Sequence, residues 1–226
     1  METTVKGLYL IKDILTPEEA SSLVENLEKQ LWFLNRSKKR RIQIYGPKHD
    51  KKYNIIPDEI TPLPQFLKDL CTTILERTAT HVPKIDLSQY ESYLGDDKFT
   101  EIFVNEYKPD DSLDQHFDHR KTYKEIIFGL SLECDSTFTF TKKDIKHQVK
   151  LPARSLYLMT GSSRKSFKHG IEPNLLEGDR RISLTFRTVN YPSESSSINE
   201  KKNSSTTKKR GNSSCSSKNE NVKKKK

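Results

Sequence analysis

Cysteine is nearly missing from this 226-residue chain, and the three it has are Cys71, Cys134 and Cys215. They are odd in number, scattered, and form no C-x-x-C pair, which excludes a disulfide framework and a cysteine-based zinc site. Long apolar runs are missing too. No stretch approaches the roughly 20 apolar residues of a membrane span, and the opening "METTVKGLYLIKD" lacks the apolar core of a secretory leader. The chain therefore reads as soluble and intracellular, in nucleus or cytoplasm, with no membrane partner. Apolar residues make up only 32% of it against 31% charged, so part of the sequence cannot bury enough surface to fold.

That part is easily placed. From residue 192 the chain is "PSESSSINEKKNSSTTKKRGNSSCSSKNENVKKKK", with ten Lys or Arg against three Glu. A disordered Ser/Asn/Lys-rich tail over 192–226 is expected there, behind a single folded domain over 1–191. The tail holds seven of the nine net positive charges, leaving the domain at +2. Within the domain, "RSKKRRIQIYGPKHDKK" at 36–52 has eight Lys or Arg against one Asp, so the remainder is net acidic. Positive charge is focused on one segment, a pattern shared by phosphate-binding surfaces and by solvated charge runs.

The domain opens with helix signals and turns to strands. "LTPEEASSLVENLEKQL" has Thr16 at the cap, Pro17 at the first helical position and Glu19 three residues after the cap. Ala20, Leu23, Val24, Leu27 and Leu31 then make an apolar stripe. A second stripe, Phe66, Leu67, Leu70, Ile74 and Leu75, follows Pro64. From about residue 100 the pattern becomes short and alternating, as in "EIFVNEY", "KEIIFGLSLE", "STFTFT", "RSLYLMT" and "RRISLTFRTV". The expected class is α+β, mainly β, with N-terminal helices packed on a jelly-roll core.

Two strands carry residues with chemistry. In "DQHFDHR", His116 and Asp118 share one face of an extended segment while Phe117 points the other way. In "RRISLTFRTV", Ile182, Leu184 and Phe186 form an apolar face and Arg181, Ser183, Thr185 and Arg187 a polar one. The polar face meets either water or a lumen. If a lumen, Arg181 and Arg187, with Cα atoms about 20 Å apart at ~3.3 Å per residue, suit the two ends of a small dicarboxylate. Asn105 and Tyr107 add neutral hydrogen-bonding groups in the same manner.

Together these pieces resemble the AlkB family of Fe(II)- and 2-oxoglutarate-dependent dioxygenases. The likeness runs in order through "NEYKPDDSLDQHFD", "GLSLECDSTFTF", "LPARSLYLMTGSSRKSFKHGI" and "RRISLTFR". It implies a double-stranded β-helix fold, with Fe(II) held by His116, Asp118 and His169, the last in an H-G-I context, leaving His119 and His147 as non-ligands. It also implies that 2-oxoglutarate is held by Asn105, Tyr107, Arg181, Ser183 and Arg187. Two histidines and a carboxylate leave coordination positions open for 2-oxoglutarate and O2. The reaction implied is decarboxylation to succinate coupled to substrate hydroxylation, and a hydroxylated N-methyl group loses formaldehyde. Asp110 stands where many members of the family have Gly, and Ser183 where its bacterial founding member has Asn.

For substrate, "RRIQIYGPKHDKKY" resembles the basic nucleotide-recognition segment of AlkB proteins that act on nucleic acid, including those of tRNA wobble uridines. This implies RNA or DNA as partner, with Lys38, Lys39, Arg40 and Arg41 on phosphates and Tyr45 stacked on a base. No RNA-recognition or methyltransferase module fits within the chain, so any tRNA-modification partners are expected as separate proteins around a monomer. Demethylation of protein N-methyl-lysine is the alternative activity. A non-catalytic nucleic-acid-binding module on the same fold is the alternative of another class.

Overall fold

The computed structural model describes residues 1–35, 39–50, 52–85, 87 and 100–190. The expected basic tail and Lys38 lie outside these residues. Helix α1 (Pro17–Glu28) begins with the anticipated capping box: the Glu19 backbone N–H donates to Thr16 Oγ1, and the Thr16 N–H to Glu19 Oε2 at 2.8 Å. Glu19 also takes a two-point ion pair from Arg77 of α2 (Gln65–His81). Arg77 and the backbone donor together hold its carboxyl down at about 2. The helix stops at Glu28, so Leu31, expected on its apolar stripe, is exposed instead.

Two antiparallel sheets follow. The larger contains β1 (Leu8–Ile11), β2 (Phe33–Leu34), β3 (Arg41–His49), β5 (Thr100–Tyr107), β7 (Tyr123–Leu132), β10 (Ser155–Met159) and β12 (Arg181–Val189). Its order is β1-β10-β7-β12-β5-β3-β2, and β4 (Ile55–Thr61) pairs with β3 to form a hairpin. The smaller sheet orders β6 (Leu113–His116), β11 (Lys168–Ile171), β8 (Ser136–Lys142) and β9 (Ile145–Leu151) as β6-β11-β8-β9. A short helix, α3 (Gly161–Lys165), joins β10 to β11. The arrangement is the expected jelly-roll core with helices on one side. No helix among the described residues is long and apolar enough to cross a membrane.

Strand alternation decides what each face meets. Ile102, Val104, Leu130, Leu132, Leu156, Leu158, Ile182, Leu184 and Phe186 point from the large sheet toward Leu23 and Leu27 of α1 and Leu67, Leu70 and Ile74 of α2, in one buried cluster. The opposite face turns toward the small sheet, whose Phe138, Phe140, Val149, Leu151 and Ile171 form a second cluster with Tyr107, Ile127, Tyr157 and Met159. Register on that inner face is specific: Arg181 stands opposite Tyr107, Ser183 opposite Asn105 and Ser131, and Thr185 opposite Phe103 and Gly129. The polar side of the last strand thus faces the interior between the sheets, with Arg181 and Ser183 buried and Thr185 and Arg187 half-buried.

Candidate metal and cosubstrate site

The H-x-D and H-G-I segments meet because β6 and β11 are neighbours. His116 and His169 are cross-strand partners, with ring centroids 4.5 Å apart. Gly170 permits this pairing, since a Cβ there would stand 2.3 Å from the Leu113 carbonyl oxygen. Asp118 follows two residues after His116, and donor atoms of His116, Asp118 and His169 all lie within 4.8 Å of one another. The His116 Nδ1 lies 2.8 Å from the Asp114 carbonyl. That contact fixes the tautomer with the proton on Nδ1 and leaves Nε2 for a metal. Burial and the nearby His169 lower the His116 pKa, favouring the neutral ligand form.

Asp118 is buried, which opposes ionisation, yet its pKa is lowered because Arg187 and His169 face it. Arg187 Nε donates to Oδ1 at 2.8 Å. Oδ2 has no hydrogen-bond partner and stands 3.3 Å from His169 Nε2, without the alignment of a hydrogen bond. A buried carboxylate oxygen aimed at two imidazoles and otherwise unsatisfied is what a divalent cation would complete. Behind Asp118, Arg187 Nη1 donates to Glu101 at 2.9 Å, and Glu101 also takes the Tyr123 hydroxyl and contacts His49 Nε2. Burial works against the Glu101 charge, but His49 and Arg187 hold its pKa below the usual value. Arg164, buried in α3, donates to the backbone carbonyls of Asp118 and His119 and so fixes the turn.

Six residues back along the same strand, Arg181 is in the opposite condition. It is 1% exposed, its Nε donates to Ser131 Oγ at 2.8 Å, and it lies 5.3 Å from the centroid of the Tyr107 ring. Its Nη1 has no partner, and no carboxylate among the described residues pairs with it. Burial pushes its pKa down. An unpaired buried guanidinium calls for an anion, and a carboxylate can meet it two-pronged. Asn105 and Ser183 line the sheet between this arginine and Arg187.

Of the five residues expected to touch substrate, Lys38 lies outside the described residues and the other four are distributed differently. Tyr45 is 6% exposed in the helix-side core, its hydroxyl bonded to Gln43 at 3.0 Å, so no base can stack on it. Arg41 is occupied by a two-point ion pair with Glu106 at 2.6 Å. Arg40 lies 4.7 Å from the Tyr107 centroid, at the Arg181 end of the lumen. Lys39 remains exposed. The exposed aromatic group next in line is another one: Tyr53, at the turn after β3, stacks at 4.7 Å and 6° on His119, the residue after Asp118. His119 Nδ1 contacts Thr122 Oγ1, which donates to the Tyr53 carbonyl. His147 sits by Phe167 and is not among the clustered donors. Sequence reading overlooked Glu101, Arg164 and Tyr53; only the buried-strand position of Glu101, facing the same way as Asn105 and Tyr107, gave a signal.

The family model for the 2OG-Fe(II) oxygenase superfamily matches residues 7–187. The chain belongs to that superfamily. An uncharacterised protein of Acanthamoeba polyphaga mimivirus is 31% identical over 198 residues, covering 82% of this chain and 86% of that one. The tRNA (carboxymethyluridine(34)-5-O)-methyltransferase ALKBH8 of Mus musculus is 29% identical over 182 residues, which are 76% of this chain but 25% of the mouse protein. The chain thus corresponds to about a quarter of that relative. In fold it is similar to the solved structure of OsALKBH1, with a TM-score of 0.60 at 16% identity over 82% of this chain and all of that one. This oxygenase is an AlkB-type dioxygenase whose cofactor is Fe(II) and whose cosubstrates are 2-oxoglutarate and O2.

Proposed function

We propose that this dioxygenase hydroxylates N-alkyl groups on nucleic acid, with tRNA the first substrate to try. In this reading His116 and His169 supply neutral imidazoles and Asp118 a carboxylate to the metal, while Arg187 and Glu101 keep that carboxylate ionised and aimed. Fe(II) held there supplies the centre at which O2 and 2-oxoglutarate react. Arg181 receives the far carboxylate of 2-oxoglutarate, with Tyr107 against its guanidinium and with Asn105 and Ser183 along the cosubstrate's length. The small sheet excludes water from this end, which strengthens the charge-assisted contact.

The observation that carries the substrate class is the docking of the β3–β4 turn onto the residue after Asp118. Tyr53 is 52% exposed while stacked on His119. It offers a π-face beside the metal ligands, on a hairpin that also bears exposed Lys48 and Lys52. Phe117, between the two β6-side ligands, is exposed with Arg120 4.9 Å from its ring centroid. Aromatic faces and cations around a reaction centre suit an unstacked base and its phosphates. The mouse relative's name carries the same substrate class, although most of that protein lies beyond the match. The test is formaldehyde and succinate release from N-methylated tRNA, DNA oligonucleotides and methyl-lysine peptides. Product from a methylated oligonucleotide, lowered about 5- to 160-fold by Tyr53→Ala as stacking of roughly 1 to 3 kcal/mol predicts, supports the reading. Product only from peptides overturns it.

A further inference from the structure

Tyr157 takes no part in the polar interactions above, yet it lies inside the same lumen. It is buried on β10 opposite Gly129 of β7, and Gly129 stands opposite Thr185 of β12. These three residues form one rung across the inner face of the large sheet. Thr185 lies between Ser183 and Arg187, so the rung falls between the arginine without a partner and the arginine that holds Asp118.

The ring reaches the middle of that rung. A Cβ on Gly129 would come within 2.0 Å of the Tyr157 Cζ and 2.3 Å of its hydroxyl oxygen. The phenol therefore lies over the backbone of β7, and any side chain at 129 would have to displace it. Glycine inside a strand gives up packing and order, and its usual reason is such a close approach. Arg181 at one end of the site and Asp118 and Arg187 at the other are the charged groups near enough to act on Tyr157. Its ring is backed by Phe138 at 5.1 Å between centroids. Its hydroxyl makes no hydrogen bond to another described residue, whereas a buried tyrosine hydroxyl ordinarily finds a partner. Burial raises its pKa, so the group stays a neutral donor.

We infer that Tyr157 is a cosubstrate-binding residue whose phenol donates a hydrogen bond to 2-oxoglutarate lying between Arg181 and the metal ligands, and that Gly129 exists to give the ring room. This rests on the assignment of the lumen to 2-oxoglutarate made above. The pair is a size exchange: one strand gives up a side chain so that its neighbour can lay an aromatic donor across it.

The experiment uses the full chain with Fe(II) and without oxygen. 2-Oxoglutarate is titrated while the visible charge-transfer absorption of its Fe(II) complex is followed, alongside Fe(II) affinity and thermal melting without cosubstrate. Tyr157→Phe keeps the ring and removes the donor. It is expected to weaken 2-oxoglutarate binding roughly tenfold, in the range for a hydrogen bond to a charged group, with Fe(II) affinity and melting unchanged. Gly129→Ala, which displaces the ring, is expected to weaken binding at least as much. If Arg181→Met weakens binding and Tyr157→Phe does not, the role of Tyr157 is refuted while the lumen assignment stands. If neither variant weakens it, both are refuted.

Discussion

Arg181 and Arg187 stand on the same face of one strand, six residues apart and both largely shielded from water, yet their surroundings are opposite. Arg187 meets two carboxylates, Asp118 and Glu101, each at ion-pair distance. Arg181 meets a serine hydroxyl and aromatic rings, with one nitrogen unsatisfied. A buried charge that is fully paired belongs to the folded protein itself, and one without a counter-ion is held ready for something that binds. The polar face of the strand therefore has a paired end and an unpaired end, although alternation alone makes its two arginines look equivalent.

The sharpest way to break this contrast is to remove each guanidinium in turn. Arg187→Met leaves Asp118 and Glu101 buried without their cation, and the expected loss is about 3–5 kcal/mol of folding stability, read by urea unfolding, together with loss of Fe(II) binding. Arg181→Met should leave the unliganded protein as stable as before or more so. It should raise the KM for 2-oxoglutarate from about tenfold to more than a hundredfold, the equivalent of roughly 1.5–3 kcal/mol. Stabilisation of the fold by added 2-oxoglutarate, a mass-action effect, should disappear in this variant. Equal losses of stability in the two variants would erase the distinction.

A smaller effect sharpens the paired end. Because the folded-state pKa of Glu101 is lowered, its contribution is complete above the ordinary glutamate value of about 4.3 and is lost as pH falls through the folded value. Glu101→Gln should therefore flatten the fall in stability below about pH 4. The check is unfolding free energy against pH, and an unchanged slope would show that Glu101 does not answer the charge of Arg187.

The clustering of His116, Asp118 and His169 and the shared face of both arginines were legible because period-2 alternation marks which side chains point together, and H-x-D with H-G-I are short patterns of rigid spacing. What was not legible has a common cause. Tyr45 sits in a basic segment, but the alternation of β3 turns it with Gln43 toward α1, whose Leu27 carbonyl accepts from the Gln43 amide. Only knowing that a helix covers that side would have placed it in the core. Arg41 lost its freedom to Glu106, 65 residues away in sequence. In "SLYLM" all five residues are buried, so the run reads as plain core and conceals that Tyr157 faces a lumen. The small size of Gly129 acquires meaning only from a neighbour on another strand.

One consequence of the β5–β12 pairing concerns how such a protein can change over generations. Asn105 and Tyr107 face Ser183 and Arg181 by register alone, and Glu101 faces Arg187 by the same ladder. A substitution on either strand alters one contact. A one-residue insertion inverts every side chain beyond it, sending arginines toward the helices and leucines into the lumen. Drift can therefore rewrite the letters of these strands far more freely than their spacing. Length variation should collect instead in connections such as residues 172–180, where an added residue leaves the ladder in phase.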